Sequence, residues 1–122
     1  MTEREPMSKL YKSRTSRDFR VEAMVVGDDP TEISKWMYKR NFRYLYRAHK
    51  EYEREFLFDE PRRGTTQYGF FFLKGDPGVY IRNRGDDTYV EPGSYIYHDL
   101  TPRGPVLGAL PEVFHRKFKE VE

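Results

Sequence analysis

The chain has 122 residues, of which 37% are hydrophobic and 34% charged, with a formal net charge of +2. That length suits one domain with one modest core, and ten Tyr, nine Phe and one Trp, each burying on the order of 150–250 Å² when enclosed, argue for a folded aromatic core over disorder. With no cysteine, disulfides, Cys-ligated zinc, iron–sulfur clusters and thiol nucleophiles are excluded; residues 1–10 lack the apolar run of a signal peptide, and nothing approaches the ~20 apolar residues of a membrane span, so a cytoplasmic protein is expected.

Residues 1–18 are polar, with Pro6 early, and read as a loosely docked N-terminal tail. Residues 19–26 begin by alternating and end apolar before Gly27-Asp28-Asp29-Pro30, the pattern of a strand running into a turn. Asp29 then suits an N-cap, Pro30 the first helical position and Glu32 the third position of a capping box. Ile33, Trp36 and Met37 share one helical face, which predicts a helix over residues 30–38.

Residues 41–58 admit two readings. Phe42, Tyr44 and Tyr46 alternate with Arg43, Leu45 and Arg47, as in a strand, whereas residues 47–55 contain neither Gly nor Pro and would suit a helix. Residues 59–64 form a loop by composition. Residues 68–73 are an aromatic strand. A hairpin pairs residues 79–82 with 88–91, and Arg84-Gly85-Asp86 lies in its turn, where Gly supplies positive φ. Pro92-Gly93 turns the chain into a strand at residues 94–98, with Tyr95 and Tyr97 on one face and Ile96 and His98 on the other. A short strand is expected at 106–110. Residues 111–118 read as a closing helix with Val113, Phe114 and Phe118 facing inward. The fold class is therefore α+β: a small antiparallel β-sheet with one capped helix packed on it and a short C-terminal helix.

Few residues point to catalysis. His49, His98 and His115 lack metal-ligand spacing, and a site built from His98, Asp99 and His115 would need distant segments to meet. No P-loop and no Gly-x-Ser-x-Gly elbow is present. No catalytic residue, metal or cofactor is expected, and an enzyme is the least favoured class. The basic–aromatic segment at residues 36–50 is the strongest candidate. It interleaves rings with cations and is followed by the acidic residues Glu51, Glu53, Glu55, Asp59 and Glu60. Its best contact patch is Arg40, Arg43, Tyr44, Tyr46, Arg47 and Lys50. Three readings compete: rings packed inward beneath solvated cations, a protein-binding surface for an acidic partner, or a single-stranded nucleic-acid site. Arg62 with Arg63, or Arg82 with Arg84, offers a nucleotide clamp as a further alternative. A homo-oligomer through the edge of the strand at 68–73 is also open.

Glu91-Pro92-Gly93-Ser94-Tyr95-Ile96-Tyr97-His98, followed by Leu110-Pro111-Glu112-Val113-Phe114, resembles the small phage and prophage domain known for its Pro-Gly-Asp-Tyr-Ile motif. Val21-Glu22-Ala23 and Asp29 to Trp36 are similar to that family's opening strand and helix. The resemblance covers residues 19–36 and 79–118, leaving about 41–74 as an insertion within a single domain at 19–122. Ser94 stands where the family usually has Asp. The resemblance implies a phage or prophage accessory protein and carries over no catalytic residue. The leading expectation is thus a non-enzymatic protein that binds a host protein and modulates or blocks it.

Overall fold

A computed structural model describes residues 8–45, 67–73, 75–100 and 105–121. In chain order its elements are β1 (Ser8–Ser13), β2 (Arg20–Val25), α1 (Pro30–Lys39), β3 (Tyr68–Phe71), β4 (Val79–Asn83), β5 (Asp86–Val90), β6 (Tyr95–Asp99), β7 (Val106–Ala109), α2 (Pro111–Lys117) and β8 (Phe118–Glu120). The α+β class expected from the sequence is what forms. The strands divide into a five-stranded sheet, β7-β6-β2-β1-β8, and a three-stranded sheet, β3-β4-β5. Every strand-to-strand ladder is antiparallel.

The larger sheet is covered on both faces, and the alternation along β2 and β6 shows why. Val21 and Ala23 sit in register with Asp99 and Tyr97, and this face closes over Phe114, Phe118 and Tyr11. Phe114 is fully buried, its ring stacked on Tyr95 at 4.3 Å. Met24 and Ile96 point to the opposite face, where they join Ile33, Trp36 and Met37 of α1, Phe70 of β3 and Phe72 just beyond it. Tyr95 and Tyr97 therefore lie across the sheet from Ile96 and His98, as the alternation predicts.

Helix α1 starts and stops on local chemistry. The Asp29 carboxylate accepts from the Thr31 N–H at 2.9 Å, satisfying one of the first-turn amides. At the other end Asn41 takes the left-handed conformation, with φ 62°. Its N–H donates to the Tyr38 carbonyl at 3.1 Å and that of Phe42 to Met37 at 3.0 Å, a Schellman stop.

Two expectations are corrected. Residues 8–13 are not part of a loose tail: β1 pairs with β2 on one edge and β8 on the other. Its polar residues survive in a strand because Tyr11 alone is deeply buried there. The C-terminal helix gives way at Phe118 to β8, a strand the sequence did not suggest. The stretch read as an insertion relative to the phage domain, at 41–74, contributes core residues at both its ends, through Phe42, Tyr44, Leu45, Phe70, Phe71 and Phe72. The helix, strand and loop readings for residues 46–66 lie outside the described residues. Among the described residues, no helix is long and apolar enough to cross a membrane.

The two sheets meet where β5 crosses onto β7. The Asn83 side-chain amide donates to the Val106 carbonyl at 2.8 Å. Val90 also occupies the space that a Cβ on Gly108 would need, so only glycine allows this approach.

Candidate binding groove at two sheet edges

The described half of the basic–aromatic segment is mostly structural. Arg40 follows the last turn of α1, and its guanidinium lies 4.0 Å from the centroid of the Trp36 ring. It donates to the Trp36 carbonyl at 2.9 Å and to the Glu22 carboxylate at 2.8 Å. Trp36 donates its indole N–H to Ser8 Oγ at 3.1 Å, so α1 is tied to both β1 and β2 by polar contacts. Tyr44 is 2% exposed, packed against Phe70 and Phe72. Arg43 is the most surface-directed of the three, with its guanidinium 5.1 Å from the Tyr38 ring. Of the six residues expected to form a contact patch, Arg40 and Tyr44 thus face inward, because one neutralises a carboxylate under the helix and the other fills the core. Tyr46, Arg47 and Lys50 lie outside the described residues.

The other sequence candidates disperse similarly. Arg82 is held by Asp87 through two hydrogen bonds, at 2.6 and 3.0 Å, which raise its guanidinium pKa further; Arg84 sits exposed at the hairpin turn. Arg62, Arg63 and His49 lie outside the described residues. His98 is buried, whereas His115 is exposed with Nε2 3.1 Å from the Tyr95 hydroxyl. Among the described residues, no three His, Cys, Asp or Glu side chains gather as a metal site. The expected oligomerisation edge, at β3, is occupied at its centre: the Phe70 N–H donates to Arg43 at 3.0 Å and its carbonyl accepts from Leu45 at 2.7 Å.

A different surface stands out. β5 is the last strand of the smaller sheet and β7 the last of the larger one. Between them lies an open groove of about 340 Å³, edged by Thr88, Tyr89, Glu91, Ser94, Ala109 and Leu110. Val90 against Gly108 joins its two walls. Locally, Gly93 takes φ 93° and donates to the Val26 carbonyl at 2.8 Å. That turn lifts the chain from β5 into β6 and leaves Glu91 and Ser94 at the groove's end. Leu110, the N-cap of α2, makes no side-chain cap hydrogen bond and is 48% exposed.

Tyr89 is positioned by its neighbours. Its ring lies 4.9 Å from Tyr80, which stacks on Phe71 at 4.9 Å. Its hydroxyl accepts from the Gly78 N–H at 3.1 Å. Tyr80 in turn donates to Asp76 at 2.7 Å, and this hydrogen bond, with some burial, pushes its phenol pKa up to about 12. The row Phe71, Tyr80, Tyr89 thus runs across the smaller sheet in register and ends at the groove with an exposed ring.

Sequence reasoning missed this groove because its walls are some twenty residues apart and belong to different sheets. One signal was present: Gly108 interrupts an otherwise apolar run at residues 106–110, and a glycine inside a strand marks a place where another part of the chain approaches closely. Comparison of the chain with protein-family models, with curated proteins and with solved structures found no match.

Proposed function

We propose that this chain is a phage-type accessory protein that acts by binding, docking on a host protein in the cytoplasm and blocking the surface it covers. The observation that carries this reading is the apolar groove at the two sheet edges. Of the five large apolar side chains left exposed among the described residues, Tyr68, Tyr89, Leu100, Leu107 and Leu110, two line this groove, Tyr89 and Leu110. Exposed apolar side chains clustered around a concave site, with polar groups at the rim, suit a protein interface. Glu91, Ser94 and Leu110, within the segments that resemble the phage domain, line the same groove, which supports one contact surface rather than scattered exposure.

The nucleic-acid alternative rests on the basic–aromatic segment at 36–50; of its four described rings, Trp36, Phe42 and Tyr44 are buried away from any base and Tyr38 is half-buried beneath Arg43. The nucleotide-clamp alternative leaves Arg82 bonded to Asp87.

Affinity capture from bacterial lysate, with and without nuclease, tests the proposal, using wild type beside Leu110→Asp. A stoichiometric protein that survives nuclease and is lost with Leu110→Asp is expected. Recovery of nucleic acid alone would overturn the reading in favour of the segment at 36–50. A large melting shift with nucleotides and no protein captured would instead support the clamp.

A further inference from the structure

We infer that the outer edge of β5 takes up an extended cationic segment of the protein partner as an added antiparallel strand; this rests on the protein-binding reading above. The hairpin turn sets the phase of the backbone. Arg84 and Gly85 have φ of 54° and 83°, as a two-residue type I′ loop requires. Such a loop closes on a doubly hydrogen-bonded pair, here Asn83 and Asp86, after which non-bonded and bonded pairs alternate. Thr88 opposite Ile81 and Val90 opposite Val79 are then bonded pairs, and Tyr89 opposite Tyr80 is not. The Tyr89 N–H and C=O consequently point away from β4.

Two side-chain contacts agree with this phase. Arg82 meets Asp87 at 2.6 Å and the Tyr80 and Tyr89 rings lie 4.9 Å apart, both across the non-bonded pairs, where side chains approach most closely. Among the described residues, no backbone hydrogen bond reaches Tyr89 from outside its own hairpin. An open strand edge with outward amide and carbonyl groups is a template for strand addition.

Charge selects the occupant. The groove is lined by Glu91 and by no Lys, Arg or His, and Glu112 follows Leu110 by two residues. Neither Glu91 nor Glu112 forms an ion pair among the described residues. An added strand alternates its side chains. Those sharing a face with Tyr89 and Glu91 are best Lys or Arg, which meet a ring face and a carboxylate there. Those on the other face lie beside Ala109 and Leu110 and are best small and apolar. A second copy of this chain fits poorly, because pairing β5 with itself about Tyr89 sets each Glu91 opposite an Asp87 that already holds Arg82, and so supplies no cation to either Glu91.

Short fluorescein-labelled peptides of alternating Lys and Val, or alternating Glu and Val, titrated into the full chain and followed by anisotropy, test the inference. The Lys–Val peptide is expected to bind about tenfold or more tightly than its Glu–Val counterpart, and Glu91→Lys with Glu112→Lys to reverse the order. N-methylating alternate peptide amides leaves the protein untouched: one set of positions should abolish binding and the other be tolerated, since a strand pairs along one edge. Equal binding of both peptides, equal tolerance of both methylation sets, or self-association lost on mutating β5 would each overturn strand addition. If the peptides fail while lysate capture of a protein persists, strand addition falls and the protein-binding reading stands. If capture yields nucleic acid only, both fall.

Discussion

The Arg40 guanidinium donates to the Glu22 carboxylate at 2.8 Å, and the two side chains are 8% and 41% exposed. One partner is desolvated beneath α1 while the other still reaches water. The pair therefore differs from a surface salt bridge worth little, because Arg40 also covers the Trp36 ring and caps its carbonyl. Removing Arg40 deletes that packing and leaves the carboxylate beside an apolar ring. Arg40→Ala is expected to cost on the order of 2 kcal/mol, read as a lower urea midpoint at unchanged m-value. Arg40→Lys should recover only part of the loss, since an ammonium cannot lie flat on the ring and fork to two acceptors. A wild-type midpoint for Arg40→Ala would show that the residue is a surface cation after all.

Phe114 is the anchor of the second hydrophobic cluster, with Tyr95 stacked at 4.3 Å and Tyr11 and Phe118 at 4.8 and 4.9 Å. Phe114→Ala should lower stability by about 3–5 kcal/mol, the range for emptying a buried aromatic site. Phe114→Leu should cost less, because it keeps part of the volume. Chemical denaturation of both variants gives the comparison. Since α2 and β8 dock through this ring, amide exchange should rise most in β8 and along β1.

High pH should weaken the fold through two phenols. Burial, then the adjacent Tyr95, pushes the Tyr11 pKa up to about 12 from 10.0, and the hydrogen bond to Asp76 does the same for Tyr80. In each case the folded state favours the neutral phenol. The stabilisation is present in full below pH 10 and is lost as pH rises towards 12. Urea midpoints should therefore fall across that window, and the fall should be shallower in a Tyr11→Phe, Tyr80→Phe double variant. Parallel curves for the two proteins would mean that neither phenol carries the dependence.

The parts of this fold that could be read from the sequence are those fixed by local chemistry. Asp29-Pro30 announced α1, Arg84-Gly85 the hairpin turn and Pro92-Gly93 the entry to β6, because each depends on φ preferences or one cap. β1 escaped notice since most of its side chains remain partly or fully exposed, and β8 since three residues carry no period. The division into two sheets was not legible either: alternation says which side chains are buried, not which sheet covers them. The site suffered from the same limit. Cations interleaved with rings look alike in sequence whether an Arg waits at the surface or, like Arg40, lies on Trp36 within the fold. The groove depends on β5 and β7 meeting, a long-range contact with only Gly108 as its local mark.

That mark can be tested directly. A Cβ at position 108 would collide with the Val90 side chain, at the point where the smaller sheet rests on the larger. Gly108→Ala should destabilise by about 1–3 kcal/mol through overpacking. Val90→Ala alone also destabilises, by opening a cavity. Combined, the two should be less harmful than their sum, because the new methyl fills space that the old side chain vacates. A double-mutant cycle by urea denaturation measures that coupling, expected at about 0.5 kcal/mol or more for residues in contact. Simple additivity would mean that Gly108 and Val90 do not hold the sheets together. The groove between β5 and β7 would then have no fixed width.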